Sequence, residues 1–273
     1  MGIKLIAADL DGTLMYTDHM TVTPRTYNAL KAAHDRGVHL AIATGRPRSL
    51  VGYVIEQLPF ADYIISANGA SVYSVKEKKN VYSDLIDNGT AVRVINRFLQ
   101  EPVFFQAYCD GHAHYQADRE PFFDYDDFPS DFIAQAQLHM TEYPDLCAGL
   151  GGRDIEMLAF YSLKRDMLPV YQELLTGYGL TVTNSFEGNI DVTSPTADKG
   201  SALRGLCAKL GISPDDAAAF GDSGNDISML RAAGYSFAME NAVQECKAAA
   251  KYVTLSNAQD GLAKAVEDFC LND

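Results

Sequence analysis

Short, unbroken apolar runs alternate with helical segments at both ends of this 273-residue chain, and that rhythm leaves few folds open. KLIAADL (4–10), VHLAIAT (38–44) and DYIISA (62–67) each read as a strand buried on both faces. Between them lie two helices. Thr23 and Pro24 form an N-cap and first-turn pair for TYNALKAAHDR, which Gly37 stops. PRSLVGYVIEQL (47–58) is the second. SVYSVKEKKNVYSDL then reads as a hairpin with KEKKN as its turn. The rhythm returns near the end, with helices at 198–211, 225–233, 242–250 and 261–270 and strands at 215–222, 235–239 and 252–255. Continuous apolar strands alternating with helices predict an α/β fold: a Rossmann-like core around a parallel sheet.

The middle breaks the pattern. Residues 84–186 hold 16 acidic and 6 basic side chains, carrying −10 of the chain's net −14, and aromatic residues crowd together there. This stretch reads as an inserted α/β cap domain, leaving residues 1–83 and 187–273 as a discontinuous core. The acidic balance disfavours nucleic acid as a partner. No segment approaches ~18 apolar residues, so no membrane span is expected. The start of the chain turns acidic within ten residues and carries no signal-like cleavage region, and the five cysteines are scattered without a CxxC pair. Both point to a reducing, cytoplasmic setting. Nothing here sets an oligomeric state.

Chemistry-bearing residues gather at predicted strand ends. DLDGT (9–13) closes the first strand with two carboxylates, where ligands of α/β sheets bind. Two anions so placed disfavour each other's ionisation unless something neutralises them. An EF-hand is excluded, because Leu14 and Met20 stand where it needs Gly and Glu. A plain Asp-Gly turn remains open. ATGR (43–46) offers the Thr44 hydroxyl, the Gly45 N–H and a helix N-terminus, the ingredients of an anion site or of an ordinary strand-to-helix turn. Lys199 opens a helix against the macrodipole and therefore needs a partner, either a bound phosphate or an acid such as Asp191 or Asp198. FGDSGND (220–226) ends another strand with two more carboxylates, Asp222 and Asp226, and its simplest reading is an Asx-turn plus a helix cap supplied by Asp222 or Asn225. Together the four stretches supply carboxylates for a hard cation such as Mg²⁺ and cationic or N–H donors for a phosphate.

In order and spacing, DxDGT, TGR, K and GDxxND resemble the motifs of the haloacid dehalogenase superfamily, and in particular of the Cof-type sugar-phosphate phosphatases with their C2 cap. The resemblance covers roughly residues 3–75 and 186–270. It implies a Mg²⁺-dependent phosphatase acting on small phosphorylated metabolites. Asp9 would be the nucleophile that becomes an aspartyl-phosphate. Asp11 would protonate the leaving oxygen and then activate water. Thr44, Gly45, Lys199 and Asn225 would hold the phosphate, with Lys199 also balancing Asp9. Asp9, Asp222 and the Asp11 backbone carbonyl would hold the metal, and Asp226 would support Lys199 or a metal-bound water. Only 30 residues separate Thr13 from Thr44, too few for a lid, so the lid must follow the third strand.

Two rival functions remain: a phosphomutase using the same aspartyl chemistry, and a non-catalytic metabolite-binding module. Haloacid dehalogenation is disfavoured because it has no use for an acid at Asp11. Lesser features carry weaker expectations. His112 and His114 share one face of a cap strand, GLGGRD (149–154) lacks a strand-to-helix setting, and DREPFFDYDDFPSD (118–131) reads as a solvated loop with buried rings. Arg46 reaches either toward the cap or to a surface carboxylate.

Overall fold

The computed structural model describes residues 2–124, 137–184 and 188–272. They form two compact units. One comprises residues 1–45, 51–83 and 198–273, the other residues 46–50 and 84–197.

The first unit begins with β1 (Leu5–Asp9), α1 (Pro24–Asp35), β2 (His39–Ala43), α2 (Gly52–Gln57) and β3 (Tyr63–Ser66). The Thr23 hydroxyl caps α1 by accepting from the Thr26 N–H. β4 (Ser71–Ser74) and β5 (Lys79–Ser83) complete an antiparallel hairpin on β3. Its turn is residues 75–78, one step earlier than KEKKN, with Lys78 in the left-handed region.

The second unit holds α3 (Asn88–Phe98), β6 (Phe104–Cys109), β7 (His112–Gln116), β8 (Met140–Tyr143), α4 (Leu146–Leu150), β9 (Met157–Tyr161), α5 (Leu168–Thr176), β10 (Thr181–Thr183) and β11 (Ile190–Thr193). Its sheet runs β10-β11-β9-β6-β7-β8. Phe105, Ala107, Leu158 and Phe160 pack from one sheet face onto Val94, Ile95 and Phe98 of α3 and Leu175 of α5. Each of the larger of these buried apolar side chains, from Val to Phe, contributes roughly 1.5–3 kcal/mol. The unit extends past residue 186 because β11 pairs antiparallel with β9, which keeps the chain there until Ala197.

The chain re-enters the first unit with α6 (Lys199–Leu210), β12 (Ala217–Gly221), α7 (Ile227–Ala232), β13 (Tyr235–Ala238), α8 (Gln244–Ala249), β14 (Tyr252–Val253) and α9 (Gly261–Val266). The sheet order is β14-β13-β12-β1-β2-β3-β4-β5, parallel from β14 to β3. Alternate β1 residues face opposite layers: Ile6 and Ala8 join Leu30, Leu262 and Val266, while Leu5 and Ala7 join Leu203, Leu206 and Leu230. From β1 the sheet grows one way through β2 and β3 and the other way through β12 and β13. The carboxyl end of β1 is therefore the switch point of the sheet, where α/β folds bind ligands. Asp9 is its last residue.

Candidate active site

Asp9 is almost fully buried, and one of its oxygens accepts a 2.6 Å hydrogen bond from Lys199 Nζ. Lys199 is the first residue of α6, whose N-cap Asp198 exchanges hydrogen bonds with Ser201. An ammonium there opposes the helix macrodipole. Neither Asp191 nor Asp198 compensates it. Lys199 donates instead to Asp9 and, at 2.7 Å, to Asp226, with no solvent exposure of its own. Burial works against its charge, but Asp226 and Asp9 outweigh that and hold its pKa above the usual lysine range.

Asp226 is fully engaged. Its second oxygen accepts from the backbone N–H groups of Asp222 and Ser223 at 2.9 and 3.0 Å, folding the GDSGND turn around itself. Asp222 accepts a 2.7 Å bond from the Thr13 hydroxyl, which ties the β12 turn to the β1 turn. Gly12 makes that approach possible. Its φ is +79°, and a Cβ there would meet an Asp222 carboxylate oxygen at 2.5 Å.

Carboxylate oxygens of Asp9, Asp222 and Asp226 lie within 4.8 Å of one another. One ammonium faces these three carboxylates. The charge imbalance registers in their acidity. Burial, then Asp226, pushes Asp222 up to about 6 and raises Asp9 well above the usual carboxylate range. Asp9 and Asp222 each use one oxygen on Lys199 or Thr13, so a second oxygen of each is open to a cation. A hard, all-oxygen, anion-rich donor set fits Mg²⁺. The Asp11 side chain is not part of this cluster. It is partly exposed, with His19 Nδ1 3.3 Å from one oxygen.

Thr44 follows β2 directly and is buried, its N–H donating to the Ile65 carbonyl and its carbonyl accepting from the Asn68 N–H. Gly45 beside it is half-buried. Asn225 donates to the Asn68 side-chain oxygen at 2.9 Å and accepts from the Ser223 hydroxyl. Sequence reasoning passed over Asn68, Thr13 and His19. Asn68 sits in three consecutive left-handed residues, Ala67, Asn68 and Gly69, immediately after β3. Strained backbone at a strand's carboxyl end was the missing signal, and it is invisible without coordinates. A Cβ on Gly69 would strike the Asp198 carbonyl at 2.2 Å, so this turn packs against the start of α6.

The weaker expectations resolve as follows. His114 is buried, with Nε2 near the Cys109 carbonyl, while His112 is exposed, and neither belongs to a potential metal-binding group among the described residues. GLGGRD ends α4, with Gly151 as its left-handed C-cap, and opens no helix. In the acidic-aromatic run Phe123 packs on Phe104, while residues 125–131 lie outside the described residues. Arg46 falls in the second unit, close enough to the Tyr108 and Tyr161 hydroxyls to act on them electrostatically. All five cysteines are free thiols. No described helix is long and apolar enough to cross a membrane.

The family model for haloacid dehalogenase-like hydrolases matches residues 6–266. The chain belongs to that family. It is 32% identical to the phosphatase YwpJ of Bacillus subtilis, over 96% of this chain and 98% of YwpJ. It is 30% identical to the 5-amino-6-(5-phospho-D-ribitylamino)uracil phosphatase YcsE of the same organism, over 98% and 96%. A solved haloacid dehalogenase-like hydrolase from B. subtilis superposes with a TM-score of 0.85 at 28% identity, covering 97% of this chain and 99% of that one. Like these relatives, the chain is an enzyme of the phosphoric monoester hydrolase type, and its Rossmann-like α/β core is the fold of the family.

Proposed function

We propose that this hydrolase is a Mg²⁺-dependent phosphatase of small phosphorylated metabolites that works through an aspartyl-phosphate on Asp9. The observation that carries the reading is the buried Lys199 ammonium, shared between Asp9 and Asp226. It works against burial and the neighbouring carboxylates to favour the ionised form of Asp9 and orients the carboxylate, of which one oxygen would attack phosphorus and the other would face Mg²⁺. As the Asp9 O–P bond forms, the ester P–O bond breaks and the leaving oxygen takes a proton from Asp11. Asp11, now a carboxylate, takes a proton from the water that hydrolyses the acyl-phosphate. Lys199, Thr44, Gly45 and Asn225 would bind the phosphoryl oxygens, the electrostatic clamping on which phosphoryl transfer chiefly depends. Mg²⁺ bound by Asp9, Asp222 and the Asp11 carbonyl would neutralise phosphoryl charge.

The second unit would act as the cap that selects the substrate and excludes water. One relative is named for a phosphorylated ribitylaminouracil, which supports a small metabolite as substrate. Five free thiols support a cytoplasmic setting.

The test is Asp9→Asn, assayed on a panel of phosphorylated metabolites. The amide removes a buried charge without changing shape, so the protein should fold while turnover on every substrate falls below a few per cent. Retention of more activity than that would remove Asp9 as the nucleophile. Return of phosphate to substrate through a bisphosphate, rather than to water, would make the enzyme a mutase.

A further inference from the structure

His19 occupies a turn that nothing in the chemistry above explains. Its φ is +57°, a left-handed conformation unusual for a residue other than glycine. The turn around it is tied down on several sides. The Asp18 carboxylate accepts from the N–H groups of Met20 and Thr21, both at 2.9 Å. The Tyr53 hydroxyl donates to the His19 carbonyl, and the Gln57 side chain donates to Met20 and accepts from Val22. The Tyr16 N–H closes the base on the Thr21 carbonyl. What this bracing presents is the imidazole, with Nδ1 3.3 Å from Asp11 Oδ1.

A contact this exposed contributes little to folding, so its consequence lies in geometry. A partly exposed carboxyl can turn between rotamers and interchange its two oxygens. An acid that must deliver a proton to one oxygen of a bound ester gains when that freedom is removed.

We infer that His19 is a positioning residue for Asp11. Its Nδ1–H donates to Oδ1 and so favours Oδ2 as the oxygen that carries the proton toward the leaving group. In the phosphorylation step the Oδ2 proton passes to the departing oxygen as the P–O bond breaks, and the His19 proton stays on Nδ1. The inference rests on the proposed reading of Asp11 as general acid.

The experiment uses full-length enzyme in excess over substrate, with saturating Mg²⁺, and follows a single turnover of Asp9 phosphorylation. Two substrates are compared: the best alkyl phosphate from the metabolite panel, which needs a proton on its leaving group, and p-nitrophenyl phosphate, which does not. His19→Gly keeps the positive φ and removes the ring. His19→Asn, also tolerant of that backbone, carries the comparison if the glycine variant melts early. General acids contribute ~10²–10⁴-fold, and loss of orientation should forfeit about tenfold of it. His19→Gly should therefore slow the alkyl ester about tenfold more than the aryl ester. In an Asp11→Asn background the same change should add no leaving-group dependence.

Equal slowing of both esters, or an undiminished effect in the Asp11→Asn background, would overturn the inference. Weakened Mg²⁺ binding in a calorimetric titration would overturn it too, since the ring would then act through the metal. Should Asp11→Asn by itself slow both esters equally, the general-acid reading falls first and the inference with it. Should Asp11→Asn discriminate while His19→Gly does not, only the inference falls.

Discussion

Lys199 Nζ lies 2.6 Å from a carboxylate oxygen of Asp9, a residue 190 positions away in the chain, with the ammonium fully buried and the carboxylate nearly so. A second carboxylate, Asp226, completes the contact at 2.7 Å. The turn after β1, the start of α6 and the turn after β12 are thereby joined at one point. Removing one partner from a buried ionic cluster leaves uncompensated charge behind, at a cost of about 3–5 kcal/mol.

Lys199→Met should therefore lower stability in urea unfolding by that amount at pH 7 in metal-free protein, and abolish turnover. Burial and neighbouring carboxylates already push Asp9 toward its neutral form. Protonation of Asp9 should then relieve part of the loss as the pH is lowered. A variant as stable as the parent at pH 7 would mean that Lys199 is dispensable to the fold of the site.

Gly12 makes a narrower prediction. Its backbone angle costs a residue with a Cβ about 1–2 kcal/mol, and the added carbon would collide with the Asp222 carboxylate. Gly12→Ala should displace Asp222 and weaken Mg²⁺ binding at least tenfold by calorimetry, with a melting temperature lowered by only a few degrees. Unaltered Mg²⁺ affinity would show that Asp222 can move aside without leaving the metal.

The parts of this site legible from sequence are those in which one short stretch contains both the strand and its chemistry. DLDGT and GDSGND place their carboxylates at strand ends because the apolar run and the turn residues are contiguous. The helix at Lys199 was legible up to its closing Gly211, whereas the Asp198 cap that starts it came only from the structure. What escaped depends on contacts between distant stretches. Thr13 matters only because Asp222 arrives beside it 209 residues later. His19 has no pattern of its own until the turn folds back onto Asp11. Where the second unit ends depends on such contacts too. Ile190–Thr193 looks like any short strand, and its membership is decided by its register with β9. Residues 46–50 begin with the arginine of ATGR itself, yet they belong to the second unit, where the Ser49 N–H donates to the Gly111 carbonyl.

The raised pKa values of Asp222 and Asp9 carry the last prediction. An unfolded aspartate titrates near 3.9. In the folded, metal-free protein Asp222 is pushed up to about 6, and Asp9 also lies well above its ordinary value. For a carboxyl whose folded pKa is raised, the folded state binds the proton more tightly than the unfolded state. Its favourable contribution is complete below about pH 4 and disappears as the pH rises through about 6. Above that the metal-free site holds carboxylate charge it would rather not carry. Replacing the charge with an amide should remove this loss, so metal-free Asp222→Asn should gain stability over the parent as the pH rises from 4 to 7. Comparing the two proteins cancels the many surface carboxylates they share. Mg²⁺ competes with the same protons, so its stabilisation of the parent should grow across that window. The rise in melting temperature on adding saturating Mg²⁺ should thus be clearly larger at pH 7.5 than at pH 5, and largely absent in Asp222→Asn at either pH. An equal rise at both pH values, or one that survives in the variant, would place the cation on groups other than Asp222.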